Sequence, residues 1–554
     1  MSNVLAWDVG LVGAWFPTFM LVLFTTLLVL RVFQGRPKNF PPGMMILPVV
    51  GSLLSMPFGP SVEMLRGLRK KYGDVASFAI FGNRVVMVSG PKLIKETFSR
   101  KNTADHPDFM FGSGKNIILT NGRTPNIGII ATNGQLWQEQ QRFFLRHLSG
   151  LGFGKSSFES LTTDEIAEFI DVLVKEGGRP IEMSHLFHRS VINVLWTLVM
   201  GKRYPYSHAR FNEMVKDFFV PADFNPLSPD QHIPHIFKVI EYIPTHRNGL
   251  KSLKKMCSFI KEEIKEFMTN EELNNGDNFT ALYLKEIEKK ENPNFNLDMM
   301  KGVIVDMFMA GMEPTSSTLT TAMYLLGKHP HVQSRVHEEL DEVVGKERCP
   351  SFYDMEISLS WDKRVAAAFD LIVSLVADRV PEATNPAFSG RTADHHTTEA
   401  LFPSFRRLPY VKATIQEVQR TFNLPKFSLP HITNEDCKIG GYDIPKGTWL
   451  LINLDDSHKS PEYWKNSNEF DPQNFLDENG KYKWNNAFMP FGTGKRICTG
   501  EQVAKQTLFL FFTHVMQKFN VTLVKEHSPI DDTSPLFTRP PRYTASFTCR
   551  STCD

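Results

Sequence analysis

The ten residues from Phe491 to Gly500, F-G-T-G-K-R-I-C-T-G, constrain the fold more than any other part of the chain. They place one cysteine, Cys498, in a glycine-rich loop directly before an apolar run, Gln502 to Phe519, that is predicted to be helical. The glycines permit backbone angles and close approaches that a side chain would block. Loop N–H groups and the positive end of the following helix both favour a thiolate. The pattern therefore predicts an anionic cysteine on a tight loop, with Arg496 near enough to meet an anionic part of whatever the sulfur binds.

Composition places the chain among large globular proteins. It has 554 residues, too many for a single small hydrophobic core. Apolar residues make up 42% and charged residues 22%, a composition that excludes a disordered chain. The net charge of +2 gives no basis for binding nucleic acid. The six cysteines are mostly far apart, and they form neither a disulfide framework nor a zinc-ligand spacing. This usage suits a reducing compartment, where a lone cysteine can serve as a ligand.

The N-terminal segment is predicted to be a membrane anchor. No charged residue occurs from Val9 to Leu30, and this run is long enough to cross a bilayer as a helix. Arg31, Arg36 and Lys38 follow it, and positive charge on this side places the following domain in the cytosol. A cleaved signal peptide is the alternative, although it would need basic residues first and a shorter apolar core.

The rest of the chain is predicted to be one large, mainly helical domain with small β sheets, residues 37–554, after an anchor of residues 1–36. Val75 to Ile80 and Arg84 to Ser89 are apolar and β-prone and form a predicted hairpin. Further strand-like pieces surround Gly440 to Leu454. Apolar residues at helical spacing predict helices at Leu136 to Leu148, Thr163 to Lys175, Leu250 to Met268, Leu297 to His329 and Pro409 to Thr421.

The cysteine loop resembles the cysteine-ligand loop of the cytochrome P-450 superfamily, F-x-x-G-x-R-x-C-x-G, at every defined position. The chain is similar to the animal microsomal branch that includes many steroid- and drug-oxidising enzymes. This resemblance implies the cytochrome P-450 fold with an N-terminal transmembrane helix, and haem b with the Cys498 thiolate as axial ligand. Such a thiolate makes the iron electron-rich. The implied activity is a monooxygenase that inserts one oxygen atom of dioxygen into a hydrophobic steroid, lipid or foreign compound.

The resemblance also implies haem contacts beyond the ligand itself. Two positions depart from the family: Gln141 replaces an expected arginine, although Arg142 is adjacent, and His106 stands where arginine is common. Ordinary packing is the alternative role for the tryptophan and histidines. The positions carried over as cofactor-binding are Trp137, Arg142, His431, Phe491, Arg496, Cys498 and Gly500.

The predicted helix that begins at Leu297 contains M-A-G-M-E-P-T-S-S-T, which resembles the oxygen-binding helix of the family, A/G-G-x-[D/E]-T. Ala310 and Gly311 are small enough to leave room above a flat macrocycle, and Glu313 fills the acidic position. Pro314 replaces the threonine whose hydroxyl helps deliver protons in the family, and proline has neither hydroxyl nor N–H. Thr315 would substitute if a kink turned it inward; otherwise it faces a neighbouring helix.

This replacement leaves several functions open. The enzyme would hydroxylate with protons from Thr315, water or the substrate, or it would turn over poorly and leak peroxide. It would otherwise rearrange a substrate that already carries an O–O bond, as some isomerases of the family without this threonine do. A haem-binding protein with little or no turnover is a further alternative.

Glu417 and Arg420 lie three residues apart on a predicted helix and so share one face. Such a pair is often no more than a weak surface ion pair. Its position matches the E-x-x-R pair of the family, which the resemblance implies supports the cysteine pocket through a later loop, Phe470 to Phe475. The family prefers arginine or histidine where Asn474 stands, so a looser third member is expected.

Partners follow from what the chain lacks. No G-x-G-x-x-G motif occurs in a strand–helix setting, so the electrons must come from another protein. The resemblance implies NADPH–cytochrome P-450 reductase, admits cytochrome b5, and places the chain in the endoplasmic reticulum membrane as a single-pass protein with a cytosolic catalytic domain. Membrane lipid is then a further partner. The segment 356–406 matches no part of the family and is interpreted as an insertion.

Overall fold

The computed structural model describes residues 18–26, 37–47, 51–56, 59–107, 110–121, 126–150, 156–217, 244–355, 408–534 and 536–550. The predicted insertion at 356–406 and most of the predicted anchor lie outside these ranges. Residues 18–26 are helical, but no helix of the described chain has the length and apolar character that crossing a membrane requires.

Helices make up most of the described chain. Numbered in chain order, they are α1 (Val62–Tyr72), α2 (Pro91–Phe98), α3 (Met110–Thr120), α4 (Gly134–Gly150), α5 (Ser156–Glu176), α6 (Leu186–Met200), α7 (Ala209–Asp217), α8 (Pro244–Thr269), α9 (Glu271–Asn275), α10 (Phe279–Lys289), α11 (Leu297–Lys328), α12 (Pro330–Val343), α13 (Pro409–Phe422), α14 (Leu454–Lys459) and α15 (Glu501–Lys518). The five helices predicted from apolar spacing are confirmed as α4, α5, α8, α11 and α13, and the run after the cysteine loop is α15.

The strands are short, as predicted. They are β1 (Val75–Ile80), β2 (Asn83–Val88), β3 (Ile181–Glu182), β4 (His431–Ile432), β5 (Cys437–Ile439), β6 (Tyr442–Ile444), β7 (Trp449–Ile452), β8 (Phe519–Ser528) and β9 (Arg542–Cys549). Three sheets form, with the orders β1-β2-β7-β4, β3-β9-β8 and β5-β6. The predicted hairpin is confirmed, because β1 and β2 pair antiparallel with Val75 opposite Val88.

The four-stranded sheet is buried on both faces. In β2, Val85 and Met87 belong to one apolar cluster, and Val86 and Val88 belong to another. Successive residues of a strand point to opposite faces, so a continuous apolar run is what such a strand needs. At the far edge, β4 pairs with β7, and the Ile432 N–H donates to the Asp105 carbonyl at 2.7 Å. This edge therefore brings His431 beside residues 103–106.

The helix α11 lies at the centre of the main core. The Asn296 side chain caps its first turn by accepting from the Met299 N–H, which satisfies a backbone donor that has no partner in the helix. Most of its side chains are buried, as expected for a helix enclosed on all sides. It packs against α6, where the rings of Phe308 and Trp196 meet edge-on at 4.4 Å.

Four cysteines of the described chain are unpaired and one is bonded. Cys257, Cys349, Cys437 and Cys498 are free thiols. Cys549, at the end of β9, is disulfide-bonded, so the expectation of reduced cysteines does not hold at this position.

Candidate active site

The loop before α15 is held in a sharp, glycine-dependent conformation. Gly492 and Gly494 have φ angles of 74° and 80°, in the left-handed region that side chains disfavour. A Cβ on Gly494 would lie 2.0 Å from the Phe98 carbonyl oxygen, so α2 packs directly on this glycine. The Cys498 N–H donates to the Phe491 carbonyl at 2.9 Å, which closes the loop. Gly500 is the N-cap residue of α15.

Cys498 is an accessible thiol in dense surroundings. Its residue surface is exposed, yet burial raises the pKa of its thiol to about 11, against a lowering effect of the Gly500 N–H. The two observations agree if the accessible side faces a recess rather than bulk water. Burial thus opposes ionisation of the thiol, and a bound metal cation would offset this effect.

Arg496 turns away from the cysteine and into the protein. Its guanidinium donates to the carbonyls of Ala104 at 2.6 Å and Thr132 at 2.7 Å, and to the Asn133 side chain at 2.8 Å. Its Cζ lies 4.0 Å from the ring centre of Trp137, which is a cation–π distance. Burial lowers the pKa of Arg496 to about 9, so the group remains cationic at neutral pH.

Two histidines adjoin this arginine. His431 Nδ1 donates to the Thr103 carbonyl at 2.8 Å, and His106 Nδ1 donates to the Pro430 carbonyl at 2.7 Å. The two rings are 4.8 Å apart. Burial lowers the pKa of His431 to about 4 and that of His106 well below its ordinary value. Both rings are therefore neutral donors at physiological pH.

These residues fit an iron porphyrin. Within the described ranges no carboxylate lies within ion-pair distance of Arg496, and its Nη1 makes only a long contact, 3.3 Å to the Ile129 carbonyl. The carboxylate of Asp105 acts on this cation only from beyond ion-pair distance. A part-buried cation of this kind suits a propionate, because a charged group in low dielectric needs compensation. Trp137, His431 and Arg496 are brought together, and an accessible thiol follows Arg496 by two residues.

Arg142 does not join this group, contrary to the sequence-based prediction. It is exposed, and its Nε donates to the Gln138 carbonyl of its own helix at 3.2 Å. The reason is geometric: five residues on an α-helix turn the side chain by about 140°. Trp137 faces inward and is 5% exposed, so Arg142 faces solvent.

The predicted oxygen-binding segment lies in the middle of α11. Ala310 is exposed although Met309 and Phe308 before it are buried, so other parts of the described chain do not cover α11 at this residue. Gly311 differs from its prediction. A Cβ at this glycine would lie 2.6 Å from Leu195 Cδ1 of α6, so the space that it leaves is occupied by a neighbouring helix.

Glu313 is bound at both carboxylate oxygens. His188 Nε2 of α6 lies 2.9 Å from Oε2, and the Ser317 hydroxyl donates to Oε1 at 2.6 Å. Burial raises the pKa of Glu313, but the hydrogen bonds from His188 and Ser317 outweigh it and leave the pKa below its ordinary value. Sequence reasoning missed His188, because no motif marks it and it is 125 residues away.

Pro314 lies inside α11, and the helix continues through it. The Thr318 hydroxyl donates to the Pro314 carbonyl at 2.7 Å. Thr315 is 5% exposed, and five residues place it about 140° around the helix from Ala310. The structure therefore does not bring Thr315 to the open side of the helix.

Glu417 and Arg420 form a fully buried, two-pronged ion pair. Arg420 Nε and Nη2 donate to the two Glu417 oxygens at 2.8 Å and 2.7 Å. The arginine also donates to the carbonyls of His458 and Glu469 at 2.8 Å each. This set of bonds joins α13 to α14 and to the chain that follows it. Asn474 reaches the same carboxylate with one bond, Nδ2 to Glu417 Oε1 at 3.2 Å.

A second buried ion pair was not predicted. Lys115 Nζ contacts Asp306 Oδ1, and the side chains are 1% and 5% exposed. Asp306 Oδ2 also accepts the N–H groups of Ile129 and Ile130 at 2.7 Å and 3.0 Å. The carboxylate thereby holds the segment whose carbonyls at Ile129 and Thr132 bind Arg496. The residues of this ion pair and of the segment that it binds come from three separate parts of the sequence, around Lys115, Ile129 and Asp306, so a local sequence pattern does not reveal the pair.

Comparisons with known proteins cover most of the chain. The family profile described as Cytochrome P450 matches residues 41–357 and 394–547, which leaves 358–393 unmatched, a shorter segment than the predicted insertion of residues 356–406. Cytochrome P450 2B4 of Oryctolagus cuniculus is 30% identical over 545 residues, covering 97% of this chain and all of the relative. Cytochrome P450 2D26 of Rattus norvegicus is 32% identical, covering 91% and 92%. Cytochrome P450 2C8 of Homo sapiens is 30% identical, covering 92% and 94%.

Proposed function

Because the chain belongs to the cytochrome P450 family, and is therefore a haem-thiolate monooxygenase similar to the animal microsomal members, we propose that it oxidises a hydrophobic small molecule with electrons from NADPH–cytochrome P450 reductase. The observation that carries the proposal is the loop that presents an accessible Cys498 thiol beside Arg496, a cation with no carboxylate within ion-pair distance in the described chain.

Each cofactor-binding residue has a distinct role in this proposal. Cys498 would be the iron ligand. Arg496 and Trp137 would hold a propionate by charge and N–H donation, and His431 would pack beside them with its single N–H donated to the Thr103 carbonyl. Phe491 and Gly500 bound the loop on either side of the cysteine. Bound haem supplies the redox chemistry that activates dioxygen and oxidises the substrate. The remaining steps of binding, orientation and proton supply belong to the side chains of the protein.

We infer that the buried ion pair supports the cysteine loop. Glu417 and Arg420 bind each other and the carbonyls of His458 and Glu469, and the Met489 N–H donates to His458 Nε2 at 2.9 Å. His458 therefore links the ion pair to the residues just before the cysteine loop. Asn474 makes one hydrogen bond to Glu417, whereas an arginine at this position would make two charged ones. We therefore infer that Asn474 binds the Glu417–Arg420 pair more weakly than the residue that the family prefers there.

The substrate side is formed by α11. Ala310 is exposed on α11. The buried apolar residues Ile129 and Phe427 come from two stretches, one that binds Arg496 and one that pairs with the C-terminal segment. An apolar recess suits a steroid, lipid or foreign compound better than a charged metabolite. The exposed apolar Met45 and Leu54, together with the uncharged run Val9 to Leu30, support attachment to the endoplasmic reticulum membrane by residues 1–36. Cytochrome b5 is a second candidate electron donor.

A second function is favoured by one observation. Pro314 occupies the threonine position, and Thr315 is buried on another side of α11. Without a hydroxyl at this place, rearrangement of a substrate that already carries an O–O bond is the chemistry that needs no proton delivery to dioxygen. If the missing hydroxyl stops proton delivery altogether, the protein binds haem but has little or no turnover.

The experiment begins with purified full-length protein. The reduced carbonyl complex should show a thiolate-ligand spectrum in the wild-type protein, and Cys498→Ser should abolish it, because a hydroxyl does not supply a thiolate. An unchanged spectrum in the variant would overturn the ligand assignment.

Turnover separates the two functions. With reductase and NADPH, product formed in proportion to NADPH consumed supports the monooxygenase. Conversion of an endoperoxide without NADPH supports the isomerase. NADPH consumed only into peroxide, or not consumed, supports neither enzyme and leaves a haem-binding protein.

A further inference from the structure

Glu313 is connected to the exterior of the protein by two histidines of α6. His188 Nε2 lies 2.9 Å from Glu313 Oε2, and the His188 side chain is 4% exposed. Its ring packs edge-on against His185, with 5.4 Å between ring centres. His185 is the residue before the first turn of α6, and it is exposed. The order from solvent inward is therefore His185, His188 and Glu313.

The second nitrogen of His188 is unusual. Its Nδ1 is buried and has no hydrogen-bond partner among the described residues. Buried polar atoms are almost always paired, and an exception calls for a functional or structural reason. One ring nitrogen is thus engaged with a carboxylate while the other is unoccupied, which is the arrangement that a proton-transferring imidazole needs.

The carboxylate of Glu313 has the two histidines as its neighbours on this side. Both carboxylate oxygens are bound, one by His188 and one by Ser317. His185 is near enough that its charge also lowers the pKa of Glu313. No carbonyl or carboxylate competes for His188 Nε2 within the described ranges, so a proton leaving this nitrogen has Glu313 as its acceptor.

We propose that His185 and His188 form the route by which protons enter from solvent and reach Glu313. This inference rests on the proposed monooxygenase function, in which a carboxylate beside the oxygen-binding part of α11 supplies protons. This route matters more here than in a chain with threonine at position 314, because Pro314 has no hydroxyl to contribute.

The proton balance of the route is simple. His185 takes a proton from water and passes it to His188 Nδ1, and the Nε2–H bond of His188 breaks as its proton moves to Glu313 Oε2. The imidazole then carries its proton on Nδ1. The imidazole returns to its starting state when the ring turns over in its site, so that the protonated nitrogen again faces Glu313; each cycle then moves one proton inward and consumes no other reactant.

A positioning role for His188 makes a different prediction, which a conservative substitution separates. In His188→Gln the side-chain amide still donates to Glu313 but does not conduct a proton. If His188 only positions the acid, this variant should keep wild-type coupling, measured as product formed per NADPH consumed. If it conducts protons, coupling should fall at least about fivefold, since general acid–base groups contribute roughly 10²-fold or more to rates. His188→Ala should fall equally far.

His185→Gln tests the outer end of the route. This residue is exposed, so its variant should fold, and we expect coupling to fall about as far as in His188→Gln. The matched control is His331→Gln, an exposed histidine in the first turn of α12, which should keep wild-type coupling. Wild-type coupling in either His188→Gln or His185→Gln would overturn the route.

A measurement without turnover completes the test. In the reduced carbonyl complex labelled with ¹⁵N-histidine, the His188 resonance is assigned by its loss in His188→Gln. The solvent exchange rate of its Nε2 proton should fall about tenfold in His185→Gln and stay unchanged in His331→Gln. Equal exchange with and without His185 would overturn the inference. A protein without haem or NADPH-dependent product would instead refute the monooxygenase, so the two failures are distinguishable.

Discussion

Replacement of Lys115 by methionine should destabilise the protein through a single buried charge. Lys115 and Asp306 are 1% and 5% exposed at their side chains. Removing one partner of a buried pair costs about 3–5 kcal/mol, because the remaining charge is left without compensation. Asp306 keeps the N–H groups of Ile129 and Ile130. We therefore expect the lower end of that range, about 3 kcal/mol, for Lys115→Met.

The double variant distinguishes charge from packing. In Lys115→Met/Asp306→Asn no charge is left, and the asparagine carbonyl can still accept from the backbone N–H groups. We expect it to lie within about 1 kcal/mol of wild type, because replacing both members of a buried pair is often nearly neutral. The Asp306→Asn single variant completes the cycle by showing how much of the loss belongs to the interaction.

The assay is urea unfolding of the haem-loaded protein, followed by circular dichroism and by the thiolate-ligand spectrum. The second probe should be lost at lower urea in Lys115→Met, because Asp306 holds the segment that binds Arg496. The reasoning is refuted if the single variant is within about 0.5 kcal/mol of wild type, the usual range for surface changes. It also fails if the double variant is less stable than Lys115→Met.

Two further predictions concern the cysteine loop and a buried lysine. Gly494→Ala should lower the haem-to-protein ratio more than Gly492→Ala. Both glycines have a positive φ, but a Cβ at Gly494 would lie 2.0 Å from the Phe98 carbonyl oxygen, whereas a Cβ at Gly492 would have no neighbouring atom within 4 Å. Equal losses in the two variants would show that backbone strain alone decides. Burial lowers the pKa of Lys426 to about 8, from an ordinary value of 10.5. Between these two pH values the unfolded chain binds more protons than the folded protein, so the free energy of unfolding increases as the pH rises. Relative to Lys426→Met, the wild-type protein should gain stability from pH 8 to pH 10, measured by urea midpoints; a constant difference would contradict the assignment.

Local patterns predicted the helices and the cysteine loop well. The apolar spacing that marked Pro409 to Thr421 corresponds to α13 within one residue, because helical periodicity depends only on neighbours in sequence. Gly492 and Gly494 sit at the positive φ angles that their loop requires, since those angles are a local property of the backbone.

Side-chain direction was harder to predict. Arg142 is adjacent to the expected arginine position but faces solvent, because one residue turns a helical side chain by about 100°. The space left by Gly311 is taken by Leu195, which no sequence pattern indicates.

The sequence by itself determined the family, the thiol ligand and the missing threonine, because these lie in short, contiguous motifs whose chemistry is fixed by residue type. Tertiary structure decided which groups meet the motifs: His188 at Glu313, Lys115 at Asp306 and the carbonyls at Arg496. These partners are more than a hundred residues apart, and they meet only because packed helices adopt particular rotations and crossing positions.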